Sequence, residues 1–218
     1  MHRVVDFNAE VDKLFAFDLT ENNTELTADI VGDTQIFSDW VAHKLSANNC
    51  RYGIGGYNEH RTIYGRSTHF DTNNEPRRLH LGTDIWGAAG TPVYNFQDGI
   101  VHSFNFNDNF GDYGATVILK YNFQERDFHV LYGHLSLDSL NGLYEGETIT
   151  AGKQFAAFGI PEENGYWPPH LHFQVILDMQ GNKGDYPGVC RYSERADYLS
   201  NCLDPRFILD NTFGVGSF

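Results

Sequence analysis

Apolar positions fall into two periodicities along the chain. In the first fifty residues they recur at helix-like intervals, in a short run from Val11 to Phe15 and in a longer one from Ser38 to Leu45. Ser38 stands where an N-cap is expected, and the polar stretch Asp18–Glu25 reads as a turn between the runs. From about residue 53 short β-prone runs take over, separated by glycine. They are Val93–Tyr94, Gly99–Phe104, Ala115–Tyr121, Phe128–Leu131, Glu147–Ile149, Phe155–Phe158 and Leu171–Leu177. Tyr52–Tyr57, with its glycines, reads as an irregular, turn-rich lead-in, and Gly142–Gly152 as a hairpin with Gly146 and Gly152 at turns. Gly181–Gly188 reads as a loop bordering a groove, and Leu203–Pro205 as a turn into the tail. The pattern predicts a mainly β chain. Its core is an antiparallel sandwich or barrel-like sheet over 53–185, a short, partly helical extension over 1–52 packs on it, and 186–218 forms a tail.

Composition agrees, since 41% hydrophobic and 15% aromatic residues in 218 suffice for a substantial core. A formal charge of −14 excludes nucleic acid and anionic membrane as natural partners. No stretch reaches transmembrane length, and the N-terminal residues lack the apolar run of a secretory signal, which leaves a cytoplasmic location open. Cys50, Cys190 and Cys202 form neither a disulfide framework nor a Cys-x-x-Cys site and read as three free thiols, with a Cys190–Cys202 pair as the alternative.

Chemistry concentrates in three segments: His80-Leu-Gly-Thr-Asp84, Tyr132-Gly-His134-Leu and His170-Leu-His172-Phe. An extended strand would hold positions four apart at about 13 Å, too far to share an ion, so the chain between His80 and Asp84 must bend, and Gly82 is placed to allow it. His170 and His172, two apart, project from one face of a strand as neighbours, so one can bind an ion while the other faces a substrate. Taken singly, each segment has an ordinary reading as a core or turn histidine. All adjoin apolar β-prone residues, however, and so many polar groups on core strands need a common partner. Two imidazoles and a carboxylate suit a borderline cation such as zinc, with histidines left over for proton transfer. Arg61 and Arg78 read as members of surface or structural ion pairs, with a substrate carboxylate as the alternative.

The run His80-Leu-Gly-Thr-Asp84, Gly90-Thr-Pro-Val93, Asp98-Gly-Ile-Val101, then Gly111-Asp-Tyr-Gly114, Tyr132-Gly-His134-Leu135 and His170-Leu-His172-Phe173, resembles the zinc metalloendopeptidases of the lysostaphin/LytM type, in their order, over residues 53–177. The resemblance implies that His80, Asp84 and His172 bind Zn2+ and that His134 and His170 flank the open position. There one would take the proton of a zinc-activated water and the other would stabilise the oxyanion, with the order of the two left open. It implies a peptide substrate, from peptidoglycan stems or cross-links, and a periplasmic or secreted setting. A small-molecule zinc amidase of the cytoplasm and a non-catalytic binding module are the alternatives. The chain departs from the family pattern at Trp167-Pro168-Pro169, before the last motif, and at Gln174, where an acidic residue is common. Trp167 and Tyr166 are read either as a wall of the groove or as ordinary loop packing.

Overall fold

The structure is a computed structural model that describes all residues except 72–74, 215 and 217–218. In chain order the strands are β1 (Leu14–Phe17), β2 (Tyr52–Gly55), β3 (Leu79–His80), β4 (Thr83–Trp86), β5 (Pro92–Tyr94), β6 (Gly99–Asn107), β7 (Gly114–Phe123), β8 (Arg126–Leu135), β9 (Thr148–Ile149), β10 (Gln154–Ala157), β11 (His170–Ile176), β12 (Val189–Cys190) and β13 (Cys202–Leu203). The helices are α1 (Ala28–Gly32), α2 (Thr34–Ala47), α3 (Arg195–Asn201) and α4 (Arg206–Phe213). One open sheet of nine strands runs in the order β1-β2-β4-β11-β8-β7-β6-β9, with β13 added beside β11. It is antiparallel except for the β1–β2 edge pair, and it does not close into a barrel.

Strand alternation sorts side chains onto two faces. On β11, Leu171, Phe173 and Val175 join the larger apolar cluster with Val117, Leu119, Val130 and Tyr132, while Ile176 joins a second cluster with Ile118 and Leu131. His170, His172 and Gln174 share the face of Ile176, and all seven residues of β11 are buried. A central strand buried on both faces must satisfy its polar side chains within the protein. The face carrying them is roofed by the segments around Tyr64–Phe70 and Tyr186–Cys190.

Several local expectations are corrected. The run Val11–Phe15 is not helical. Its N-terminal part is a turn in which Asp12 Oδ2 accepts from Asn8 N at 2.8 Å, and Leu14 onward is β1, paired with β2. Tyr52–Gly55 is a regular strand whose glycines serve close approach: a Cβ on Gly53 would lie 2.1 Å from Phe17 Cε2. Helix α2 begins earlier than Ser38. Asp33 caps it, accepting from Gln35 N at 2.8 Å and Ile36 N at 2.9 Å, while Ser38 Oγ turns back onto Thr34 O at 2.7 Å.

Gly142–Gly152 is no hairpin, because β9 pairs with β6 and the following β10 with β5; its glycines 142, 146 and 152 do take positive φ at turns. The tail is more ordered than a tail: α4 sends Ile208, Leu209 and Phe213 into the main core beside Val4, Val5 and Phe7. The three cysteines are unpaired, as expected. No helix among the described residues is long and apolar enough to cross a membrane.

Candidate metal centre

The bend required between His80 and Asp84 is present. β3 ends at His80, paired with Val189 of β12, and β4 restarts at Thr83, where Asp84 pairs with His172 of β11. Gly82 makes this possible by a different means from the one expected, for its φ is not in the left-handed region. A Cβ there would lie 2.7 Å from His172 Cε1 and 2.9 Å from Phe173 O, so the glycine leaves room for the imidazole. Gly82→Ala is expected to displace that ring and raise the metal dissociation constant by roughly 10–100-fold, measured by chelator competition.

Three donor atoms meet on this floor: His80 Nε2 lies 2.9 Å from His172 Nδ1 and 3.3 Å from Asp84 Oδ1, and His172 Nδ1 lies 3.1 Å from Asp84 Oδ1. Ligands about 2.0–2.1 Å from a tetrahedral ion stand about 3.3 Å apart, so this triangle has nearly the dimensions of one face of such a site. All three residues are buried. Tautomers decide what the triangle wants. His80 Nδ1 faces Gly56 O at 2.9 Å, and a carbonyl can only accept, so Nδ1 carries the proton and Nε2 a lone pair. His172 Nε2 faces Gln174 Oε1 at 2.8 Å, while the amide nitrogen of Gln174 donates to Pro187 O at 3.1 Å and Cys202 Sγ at 3.3 Å. His172 Nε2 therefore donates and Nδ1 is bare. Two lone pairs and a carboxylate oxygen converge with no proton to share, which fits a cation.

The remaining histidines are oriented by the same device. His134 Nδ1 donates to Asn164 O at 2.7 Å and His170 Nδ1 to Pro168 O at 2.8 Å, leaving each Nε2 free. The rings lie 4.1 Å apart, centroid to centroid, and His170 Nε2 is 4.0 Å from Asp84 Oδ1. On the other side His170 stacks on Trp86 at 4.1 Å. His134 reaches this position through a bulge: β8 sets Gly133 and His134 against the single residue Thr116 of β7, and His134 takes φ 62°.

Burial pushes His170 down to about 4, with Asp84 opposing. Burial and then the Arg61 charge push His80 down to about 3, and burial with the neighbouring His170 holds His134 well below its ordinary range. Burial alone would raise Asp84, but His80 and Arg61 hold its carboxyl well below the usual value. At neutral pH Asp84 is thus a carboxylate and His80, His134 and His170 are neutral imidazoles, the protonation state a cation requires. The unfolded chain would protonate these histidines near 6.5, so between pH 6.5 and 4 it binds protons that the folded chain refuses, and stability falls as pH falls. For His170 the slope is up to about 1.4 kcal/mol per pH unit. The urea midpoint of metal-free protein should drop from pH 7 to pH 4.5, and drop less steeply in His170→Asn. Parallel profiles for the two proteins would contradict the assignment.

Above the floor lies a cavity of about 150 Å³ walled by Tyr64, Phe70, Tyr113 and Trp167, with Arg77, Asp112 and Asp185 also lining it. Trp167 is a wall, being 3% exposed, whereas the half-exposed Tyr166 is not among the lining residues. The loop before β12 does border the groove, through Asp185–Gly188. Tyr113 donates to Tyr186 O at 3.1 Å and closes the space behind His172, where Gly188 has no Cβ to obstruct its hydroxyl. Arg78 pairs with Asp71 at 2.7 Å; Arg61 is wholly buried and lines the cavity beside Asp84.

Residues 78–185 match the family described as Peptidase family M23, a stretch that contains all five of these histidines and aspartate. Over that stretch, a little under half of its length, the chain is similar to peptidase family M23. Members of this family are metallopeptidases. The L-Ala--D-Glu endopeptidase of Bacillus subtilis (strain 168) is 30% identical over 151 residues, covering 63% of this chain and 43% of that protein, so the chain spans less than half the length of this curated relative. Among solved structures, the catalytic domain of the antimicrobial peptidase lysostaphin from Staphylococcus simulans is 22% identical, with 79% of this chain and 97% of that one covered at a TM-score of 0.45. A zinc containing peptidase from Vibrio cholerae is 28% identical, with 45% and 27% covered at a TM-score of 0.36.

Proposed function

We propose that this protein is a zinc metalloendopeptidase of the M23 family that hydrolyses amide bonds in short peptides, those of peptidoglycan stems or cross-links. The observation that carries the reading is the convergence of His80 Nε2, His172 Nδ1 and Asp84 Oδ1 on one point beside two further imidazoles with free Nε2 atoms. The substrate class follows the relative named as an L-Ala--D-Glu endopeptidase. Two nitrogens and one carboxylate oxygen match zinc in a site that keeps a position open. Bound there, zinc would acidify a water and polarise the scissile carbonyl.

The protein supplies the rest. Tyr64, Phe70 and Trp167 exclude bulk water and flank an extended peptide. The free Nε2 of His134 or His170 takes a proton from the attacking water, and its Nδ1–H, held by a backbone carbonyl, keeps the ring from turning. The other imidazole faces the carbonyl oxygen and donates to the oxyanion when its Nε2 has taken a proton from solvent, a form that becomes scarcer as pH rises. A binding module has no use for two such groups beside a metal set. Metal analysis of the purified protein, joined to mass spectrometry of a digest of purified peptidoglycan, tests the reading. New amine and carboxyl termini within the peptides are expected. Zinc-loaded protein that yields none from peptidoglycan or from a broad amide panel would support the binding module instead.

A further inference from the structure

Arg61 is the largest charged side chain sealed inside this protein, and nothing in the hydrolytic scheme above uses it. It is fully buried and stands at the edge of the cavity, with its hydrogen bonds made to Asp84, Glu59, Gly56 and Tyr64. Nη1 donates to Asp84 Oδ2 at 2.5 Å, the oxygen that does not face His80 and His172. Nε donates to Glu59 Oε2 at 2.7 Å, Nη2 to Gly56 O at 3.2 Å, and Nη1 also lies 3.3 Å from Tyr64 Oη. Gly56 O is the carbonyl that accepts from His80 Nδ1 at 2.9 Å. One carbonyl just past the end of β2 thus braces two members of the triangle, His80 directly and Asp84 through the guanidinium. The chain makes room for this arrangement: a Cβ on Gly55 would lie 2.7 Å from Arg61 Nη2.

We infer that Arg61 is a positioning residue that makes Asp84 a one-oxygen ligand, an inference that rests on the metal-site reading. An aspartate beside a cation can offer one oxygen or both, and rotation about its last bond exchanges them. With Oδ2 held in a charge-assisted hydrogen bond, both choices close, and only Oδ1 remains toward the ion. The planar fork of arginine suits the task because it meets Asp84, Glu59 and Gly56 at once. A lysine carries the charge without the fork. The carboxylate of Glu59 offsets the second positive charge that would otherwise oppose a cation a few atoms away.

The test uses the full chain, with Co2+ as the spectroscopic probe and zinc for structure. Wild type should give the intense visible absorption of four-coordinate cobalt, and X-ray absorption of the zinc-loaded protein should find a single carboxylate oxygen on the ion. Arg61→Lys should weaken metal binding by roughly 10–100-fold in chelator competition and reduce the cobalt absorption as Asp84 swings to two-oxygen binding. Unchanged affinity and spectrum in Arg61→Lys, whatever its melting temperature, would reduce Arg61 to a structural ion pair and overturn the inference. If that variant fails to fold, wild-type zinc bound by two carboxylate oxygens would overturn it equally. Wild type that takes up neither metal would overturn the metal-site reading itself, which separates the two failures.

Discussion

Dialysed His172→Ala protein is expected to hold close to no zinc and to lose activity by about 10³-fold or more. The magnitude follows from the role proposed for the ion: a Lewis acid that polarises the carbonyl and acidifies water contributes several kcal/mol to the transition state, and each 1.4 kcal/mol is a factor of ten. His172 is the most discriminating of the three donors to remove. Its Nδ1 belongs to the triangle, whereas its Nε2 is engaged by Gln174, so the variant removes a ligand and leaves only a neutral amide to be rehydrated. Asp84→Ala should also release the metal, but it removes one of the two carboxylates paired with the buried Arg61 and so confounds ligand loss with destabilisation of roughly 1–3 kcal/mol. Asp84→Asn is the gentler companion. The measurement is metal content by mass spectrometry alongside a urea midpoint. One equivalent of zinc retained by folded His172→Ala would remove His172 from the ligand set.

The functional segments were legible because their chemistry is written in residue types that have no other reason to lie on apolar strands. His170, His172 and Gln174 fall on one face through the two-residue period of β11, and that period is visible in the sequence. The need for a bend between His80 and Asp84 was equally visible, because an extended chain cannot bring the two together. Its mechanism was not: Gly82 serves the His172 ring, which arrives from a strand ninety residues later, and a contact of that kind has no local signature. Gln174 shows the same limit. In the sequence it stood only as a departure from the family pattern, whereas its carbonyl fixes the tautomer of His172.

Arg61 was read as one member of an ion pair, and so it is, but sequence gave no sign that its partner would be Asp84. Among the secondary elements, Tyr52–Gly55 and Leu14–Phe17 were misread for a shared reason. Leu14–Phe17 becomes a strand by pairing with β2, and Tyr52–Gly55 by lying between β1 and β4, interactions between positions distant in sequence that local periodicity does not carry.

His134→Ala and His170→Ala should each keep a full equivalent of zinc and lose activity by about 10²–10⁴-fold, the range for removing a positioned proton-transfer group. Retention of metal is the sharper half of the expectation. Neither Nε2 takes part in the triangle, and the nearer approach, His170 Nε2 to Asp84 Oδ1, is 4.0 Å. If the two rings divide the work, one accepting the water proton and the other meeting the oxyanion, they act on the same transition state. The double variant should then be only slightly worse than the poorer single one, far short of the product of their losses. His134 is the cleaner site for substitution, since His170→Ala also strips the ring stacked on Trp86, which His170→Asn partly preserves. Loss of zinc in both single variants would make these residues ligands. Full multiplicativity in the double variant would instead mean that the two imidazoles serve separate steps.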